Sequence, residues 1–243
     1  MGFSAFKILK EGLTGNKGWK PHWREPMLKK EYDVIIIGAG GHGLATAYYL
    51  AKEHGIVNVA VLEKGWVGSG NIGRNTTIIR SNYMLPGNQP FYEKSMQLWE
   101  GLEQDFNYNA MVSQRGILNL SHSDGQHDAY ARRGNAMHLT NSGAVLLDRA
   151  GVERMCPLLD FDNARFPIKG GIWQPRGGSV RHDAVAWGFA RGADSRGVDI
   201  IQNCEVTGFQ IENGRCIGVE TTLGNVKSKK VGMCVAGSSG VLA

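Results

Sequence analysis

The residues best placed to do chemistry close the first apolar run of the chain. Gly38-Ala39-Gly40-Gly41-His42-Gly43 follows Val34-Ile35-Ile36-Ile37 and leads into a stretch with Leu44, Ala47, Tyr48 and Ala51 at helical spacing. Between a strand and a helix this spacing suits a phosphate. Gly38 permits the tight turn, Gly40 lets backbone approach a pyrophosphate, and Gly43 lets helix and strand pack closely. The free N–H groups and positive dipole end of the helix then face the phosphates. Glu63 ends a second apolar run, 20 residues past Gly43. A carboxylate there accepts hydrogen bonds from the hydroxyls of an adenosine ribose, and an acid in place of a base disfavours a 2′-phosphate. The motif implies a dinucleotide, and by itself it leaves NAD and FAD open.

The segment after Glu63 decides between them. Lys64-Gly65-Trp66-Val67-Gly68-Ser69-Gly70-Asn71 runs into Gly73-Arg74-Asn75-Thr76-Thr77-Ile78-Ile79-Arg80. A loop this long inside a compact domain is usually functional. One rich in Gly, Asn, Thr and Arg can wrap a pyrophosphate and reach a flavin ring, whereas an NAD unit moves straight to its next helix. FAD is the expected cofactor.

The elements that must position these residues follow from periodicity. Residues 32–37 and 58–63 read as buried parallel strands around a helix over 44–54, a βαβ unit. Residues 65–88 read as loop, 91–106 as helix, 116–121 as strand and 124–142 as a polar helix. A short strand from Leu146, a helix over 149–155, a strand over 170–174 and a helix over 182–196 come next. Residues 198–236 alternate like strands around a turn at Glu212-Asn213-Gly214, a strong hairpin signal. The last buried strand is expected at 230–236. The expected fold class is α/β: a Rossmann-like parallel FAD-binding sheet with part of an antiparallel substrate-domain sheet. Residues 1–30 form a basic arm and 31–243 the oxidoreductase domain. Within it, 31–88 and 170–243 are assigned mainly to FAD and 89–169 to substrate and interface.

The 243 residues are 42% hydrophobic and 20% charged, as in an ordinary globular protein. Lys7, Lys10, Lys17, Lys20, Arg24, Lys29 and Lys30 face only Glu11 and Glu25 within the first thirty positions, a local excess equal to the whole net charge of +5. A basic arm on a neutral body argues against nucleic-acid binding. It reads either as a docking element for an acidic surface, such as another subunit, or as a solvated leader. No apolar run has signal-peptide or membrane-spanning length, so neither is expected. Cys156, Cys204, Cys216 and Cys234 are widely spaced, which fits reduced, mostly buried thiols in a cytoplasmic protein and no metal site.

Five runs carry a family resemblance. Gly-Gly-His-Gly-Leu-Ala-Thr-Ala-Tyr-Tyr-Leu-Ala-Lys (40–52) and Val-Leu-Glu-Lys-Gly-Trp (61–66) resemble the glycine-oxidising flavoenzymes. Arg-Asn-Thr-Thr-Ile-Ile-Arg-Ser-Asn-Tyr (74–83) narrows this to the beta subunits of heterotetrameric sarcosine oxidases. Ser-Gln-Arg-Gly-Ile-Leu-Asn-Leu (113–120) and Val-Asp-Ile-Ile-Gln-Asn-Cys-Glu-Val-Thr-Gly (198–208) resemble the same group. The resemblance implies oxidative demethylation of sarcosine to glycine. FAD, held non-covalently, accepts hydride, and electrons pass to a covalent FMN and then to O2. The products are H2O2 and formaldehyde or methylenetetrahydrofolate. It implies alpha, gamma and delta partner subunits, with NAD in the alpha subunit.

Carried over residue by residue, the resemblance implies FAD contacts at Gly38, Gly40, Gly41, His42, Gly43, Glu63, Asn71, Thr76 and Ile78, and through the backbone of Val206. At a helix start, Arg181-His182-Asp183 reads on its own as a capping histidine. The resemblance instead implies FMN bonded through its 8α carbon to His182, with Arg181 near the FMN phosphate. Family members run to roughly 400 residues, so the chain reads as truncated. Catalytic residues are unknown and expected beyond residue 243, and the piece alone is expected to be inactive. Two other readings remain: an amine or amino-acid dehydrogenase subunit with another electron acceptor, and a non-catalytic flavin-binding assembly subunit.

Overall fold

A computed structural model describes residues 4–19, 24–83, 86–140 and 142–242. In chain order, helix α1 (Ala5–Leu13) is followed by β1 (Glu31–Ile37), α2 (Gly41–His54), β2 (Val59–Leu62) and the two-residue β3 (Ile78–Ile79). Then come α3 (Gln89–Phe106), β4 (Ile117–Ser121), α4 (Asp124–Leu139), β5 (Val145–Asp148), α5 (Arg149–Met155), β6 (Gly170–Gln174) and β7 (Gly178–Ser179). Helix α6 (His182–Asp194), β8 (Asp199–Ile201), β9 (Val206–Glu212), β10 (Arg215–Thr221), β11 (Val226–Met233) and α7 (Ser239–Leu242) complete the chain. Two compact units result: residues 1–71 with 189–243, and residues 72–188.

The first unit is built on a six-stranded sheet of order β8-β2-β1-β11-β10-β9. Its β8, β2, β1 and β11 run parallel, and β11, β10 and β9 continue as an antiparallel meander. Central β1 is buried because both its edges are paired: Ile35 lies beside Ala60 on one side and Val231 on the other. One core cluster gathers Tyr32, Ile35, Ile37, Ala60, Leu62, Ile201, Val206, Val219 and Val226. Burying each branched side chain contributes roughly 1.5–3 kcal/mol, which explains why so apolar a run sits in the middle of the sheet. Helix α2 buries Leu44, Ala47, Tyr48 and Ala51 and stops at Gly55, which takes the left-handed conformation at φ 65°.

The second unit carries the antiparallel sheet β4-β6-β5 and the small pair β3–β7. Ile172 in β6 lies opposite Asn119 and Leu146 and packs with Met137 and Ala144. A second cluster joins Val152, Phe161 and Ile168. A buried polar chain ties the loop before α3 to the sheet: Gln174 donates to Ser81 Oγ at 2.6 Å, and Gln89 donates to Ser142 Oγ at 3.0 Å.

The expected α/β class, with a parallel sheet and a separate antiparallel one, is the observed architecture. Several elements differ in detail: β3 forms within the expected loop 65–88, and α4 ends at Leu139 rather than 142. Helix α2 starts at Gly41 rather than 44, because the glycines themselves form its first turn. Strand β11 spans Val226–Met233 rather than 230–236, its exposed lysines alternating with buried Val226 and Ser228. The arm contains a formed helix, α1. Of the four free thiols only Cys204 is fully buried, and the other three are partly so.

Candidate functional site

In the first unit the glycine motif makes a cradle at the carboxyl end of β1. Gly38 sits at φ +101°, and a Cβ there would come within 2.7 Å of the Cys234 carbonyl oxygen. Its N–H donates to Leu62 O at 2.7 Å, locking the turn to the end of β2. A Cβ on Gly43 would collide with the Gly38 carbonyl, so the helix approaches its strand as closely as glycine allows. Gly40 differs: a Cβ there would meet no protein atom within 4 Å. It caps α2 without a side-chain hydrogen bond, so no capping group covers the first-turn N–H groups of Gly41, His42 and Gly43. An open concavity edged by amide hydrogens at a positive dipole end fits a pyrophosphate.

Glu63 completes the cradle. Its carboxylate is buried and accepts from Ala39 N at 2.8 Å and from Gly65 N at 2.9 Å. Oε1 also accepts from Ser69 Oγ at 3.5 Å, and Oε2 retains a lone pair that can accept from a ribose hydroxyl. Its own backbone pairs with Ile201 O and Cys204 N, both at 2.9 Å. The following loop folds back on the glycines: Gly68 N donates to Ala39 O at 3.1 Å, and Val67 N to Gln202 Oε1 at 2.8 Å. Gln202 carries no motif signal, and only the fold shows its role. Asn71 is exposed at the end of this loop, and the His42 ring is exposed on α2. Val206 opens β9 with its side chain in the core, which leaves only backbone for any ligand contact.

In the second unit, His182, Thr76, Thr77, Ile78, Trp99 and Val180 line a pocket of about 150 Å³. Thr77 takes φ +63°, its N–H bonded to Asn75 Oδ1 at 2.7 Å and its carbonyl accepting from Val180 N at 3.0 Å. This bend delivers Ile78 to β3, opposite Ser179. His182 opens α6, and its Nδ1 is buried with no hydrogen-bond partner. A buried imidazole nitrogen left unpaired costs about 1–3 kcal/mol, which a bonded ligand would relieve. Arg181 forks onto Asp183 at 2.8 and 3.1 Å. That guanidinium holds the Asp183 carboxyl below its usual range. Sequence reasoning gave no pocket role to Trp99, which sits far from any motif, or to Val180, which directly precedes Arg181-His182-Asp183.

The model of one protein family, described as FAD dependent oxidoreductase, matches residues 33–243. The chain belongs to that family. Among curated relatives of this FAD dependent oxidoreductase, it is 70% identical over 243 residues to the sarcosine oxidase subunit beta of Rhizobium meliloti (strain 1021). It is 49% identical over 241 residues to that of Rhodobacter capsulatus. It covers 100% and 99% of itself in these matches, and 58% of each relative's length. Among solved structures, the L-proline dehydrogenase of P. horikoshii superposes with a TM-score of 0.82 at 25% identity, over 88% of this chain and 55% of the other. Among the described residues of this family member, no cluster of His, Cys, Asp and Glu could hold a metal, and no helix is long and apolar enough to cross a membrane.

Proposed function

We propose that this chain is the FAD-binding part of a sarcosine oxidase beta subunit that oxidatively demethylates sarcosine to glycine. The observation that carries this reading is 70% identity over all 243 residues to a protein of that name, with the cradle residues folded for a dinucleotide. When bound, FAD supplies the hydride acceptor, and FMN the outlet to O2 that yields H2O2 and formaldehyde or methylenetetrahydrofolate. The amides of Gly41, His42 and Gly43 hold the pyrophosphate, Gly38 makes the tight turn, and Gly40 keeps the path clear. Glu63, fixed by Ala39 and Gly65, accepts the ribose hydroxyls. In the first unit, Asn71 and the backbone of Val206 line the remainder of the FAD path. Alpha, gamma and delta subunits complete the assembly, the alpha subunit carrying NAD, and the complex works in the cytoplasm.

His182 holds the FMN covalently through a ring nitrogen, and the unpaired buried Nδ1 supports a missing bonding partner at this ring. Arg181 offers charge to the FMN phosphate while shared with Asp183. The test uses the full-length protein in its complex. Acid precipitation should release FAD and leave one flavin on a peptide containing His182. His182→Asn should lose only that attached flavin, and its oxygen consumption should drop at least tenfold while the FAD is retained. An unmodified His182 peptide from fully active enzyme would overturn the assignment.

The likeness to L-proline dehydrogenase supports a second reading, in which the electrons leave to a carrier other than O2. Turnover with artificial acceptors under nitrogen, compared with turnover in air, separates the two.

A further inference from the structure

We infer that helix α1 is a preformed hook whose apolar face inserts into an apolar groove on another chain of the complex. The inference rests on the beta-subunit reading above. An amphipathic surface helix normally buries its apolar stripe and exposes its polar one. Helix α1 leaves its apolar stripe uncovered. Phe6, Leu9 and Leu13 fall on one side and are 82%, 60% and 80% exposed.

On the polar side only Glu11 is covered, by the chain's own next turn. Glu11 is buried, and its carboxylate accepts from Gly18 N at 2.7 Å. The Lys7 ammonium lies 5.4 Å from the centre of the Trp19 ring. Trp19 Nε1 in turn donates to Asn16 Oδ1 at 3.1 Å. Both ends of the helix are finished: Ser4 Oγ accepts from Lys7 N, and Thr14 closes back on Lys10 and Glu11. A nine-residue helix is marginal alone in water, so these local bonds hold it ready. Further along, Arg24 pins the arm to the first unit through Asp194, Asp199 and the Val198 carbonyl. A folded helix with an uncovered apolar face on a pinned arm is built for an occupant.

Charge selects the occupant. All of the net +5 lies within the first thirty residues, and the rest of the chain is balanced. A second copy would bring an equally basic arm against this one. A different chain with acidic side chains around its groove complements Lys7 and Lys10, which flank the apolar stripe. Nine residues also give too small an apolar face for stable membrane anchoring without a second signal.

The experiment uses the full-length chain co-produced with its partner subunits. Two double variants are compared with the parent: Leu9→Asp with Leu13→Asp, and Lys7→Gln with Lys10→Gln. Native mass spectrometry reads assembly, bound FAD reports folding, and sarcosine-dependent flavin reduction reports activity. The leucine variant should keep its FAD and weaken assembly by ~100-fold, since each lost apolar contact is worth about tenfold. The lysine variant should weaken assembly less, and only at low salt. Undiminished assembly of the leucine variant overturns the hook and leaves the functional reading standing. A parent that assembles with no other chain overturns both. Loss of a homodimer in the leucine variant, or loss of binding to anionic phospholipid vesicles, with hetero-assembly intact, also overturns the hook. Hook-dependent assembly without reduction by sarcosine supports the hook and counts against sarcosine as substrate.

Discussion

Gly40 and Gly43 show how two glycines of one motif do different work. At Gly43 a Cβ would run into the Gly38 carbonyl, so Gly43→Ala attacks the fold. At Gly40 a Cβ meets only open space, in the place a pyrophosphate would take. Gly40→Val should therefore keep folding stability within about 1 kcal/mol, the scale of an N-cap change, and lose bound FAD. Urea unfolding and flavin content of the full-length protein check this pair of outcomes, and full FAD content in the folded variant would contradict it. The close approach at Gly43 was legible in the sequence because glycine spacing reports backbone geometry directly. It overlooked Gln202, whose side chain reaches the Val67 amide across 135 residues of sequence, because no spacing rule covers a contact between distant loops.

At the scale of elements, legibility followed local pattern. The Asn213-Gly214 turn adopts φ +50° and +73° between β9 and β10, as an Asn-Gly hairpin demands, and β6 occupies the expected 170–174. Helix α1 was hidden because charge dominated the reading of its segment, and β11 was blurred by Lys227, Lys229 and Lys230 on its exposed positions. The contact between β1 and β8 was not legible either, and it leads to a pH prediction. Tyr32 of β1 donates to the buried Asp199 of β8 at 3.2 Å, and Asp199 also pairs with Lys29 and Arg24. Burial, and then the neighbouring carboxylate, push the Tyr32 phenol up to about 12 from its ordinary 10.0. Between those values the unfolded chain loses the proton and the folded chain keeps it. The stabilisation is therefore complete below pH 10 and is lost as the pH rises to 12, by on the order of 2 kcal/mol. Urea midpoints followed from neutrality to pH 12 should fall over that window, and Tyr32→Phe should flatten the fall. An identical decline in the variant would remove Tyr32 as its source.

For the whole molecule, the parallel arrangement β8-β2-β1-β11 could be expected from a βαβ start, but its order depends on contacts nearly two hundred residues apart, as between Glu31 and Lys227. The backbone of the glycine cradle was the most legible part because it is nearly continuous in sequence. The His182 pocket was not, since its walls come from three separated segments around Thr77, Trp99 and Val180. The chain spans 58% of the length of two of the sarcosine oxidase beta subunits it matches, so the proposed activity must be read on the full-length protein in its proposed complex. The most direct measurement mixes that complex with sarcosine under anaerobic conditions and follows the visible absorbance of the bound flavin. The account predicts rapid bleaching by sarcosine in the parent, and none in folded Gly40→Val lacking FAD. Flavin that stays oxidised with sarcosine yet bleaches with dithionite would contradict the account.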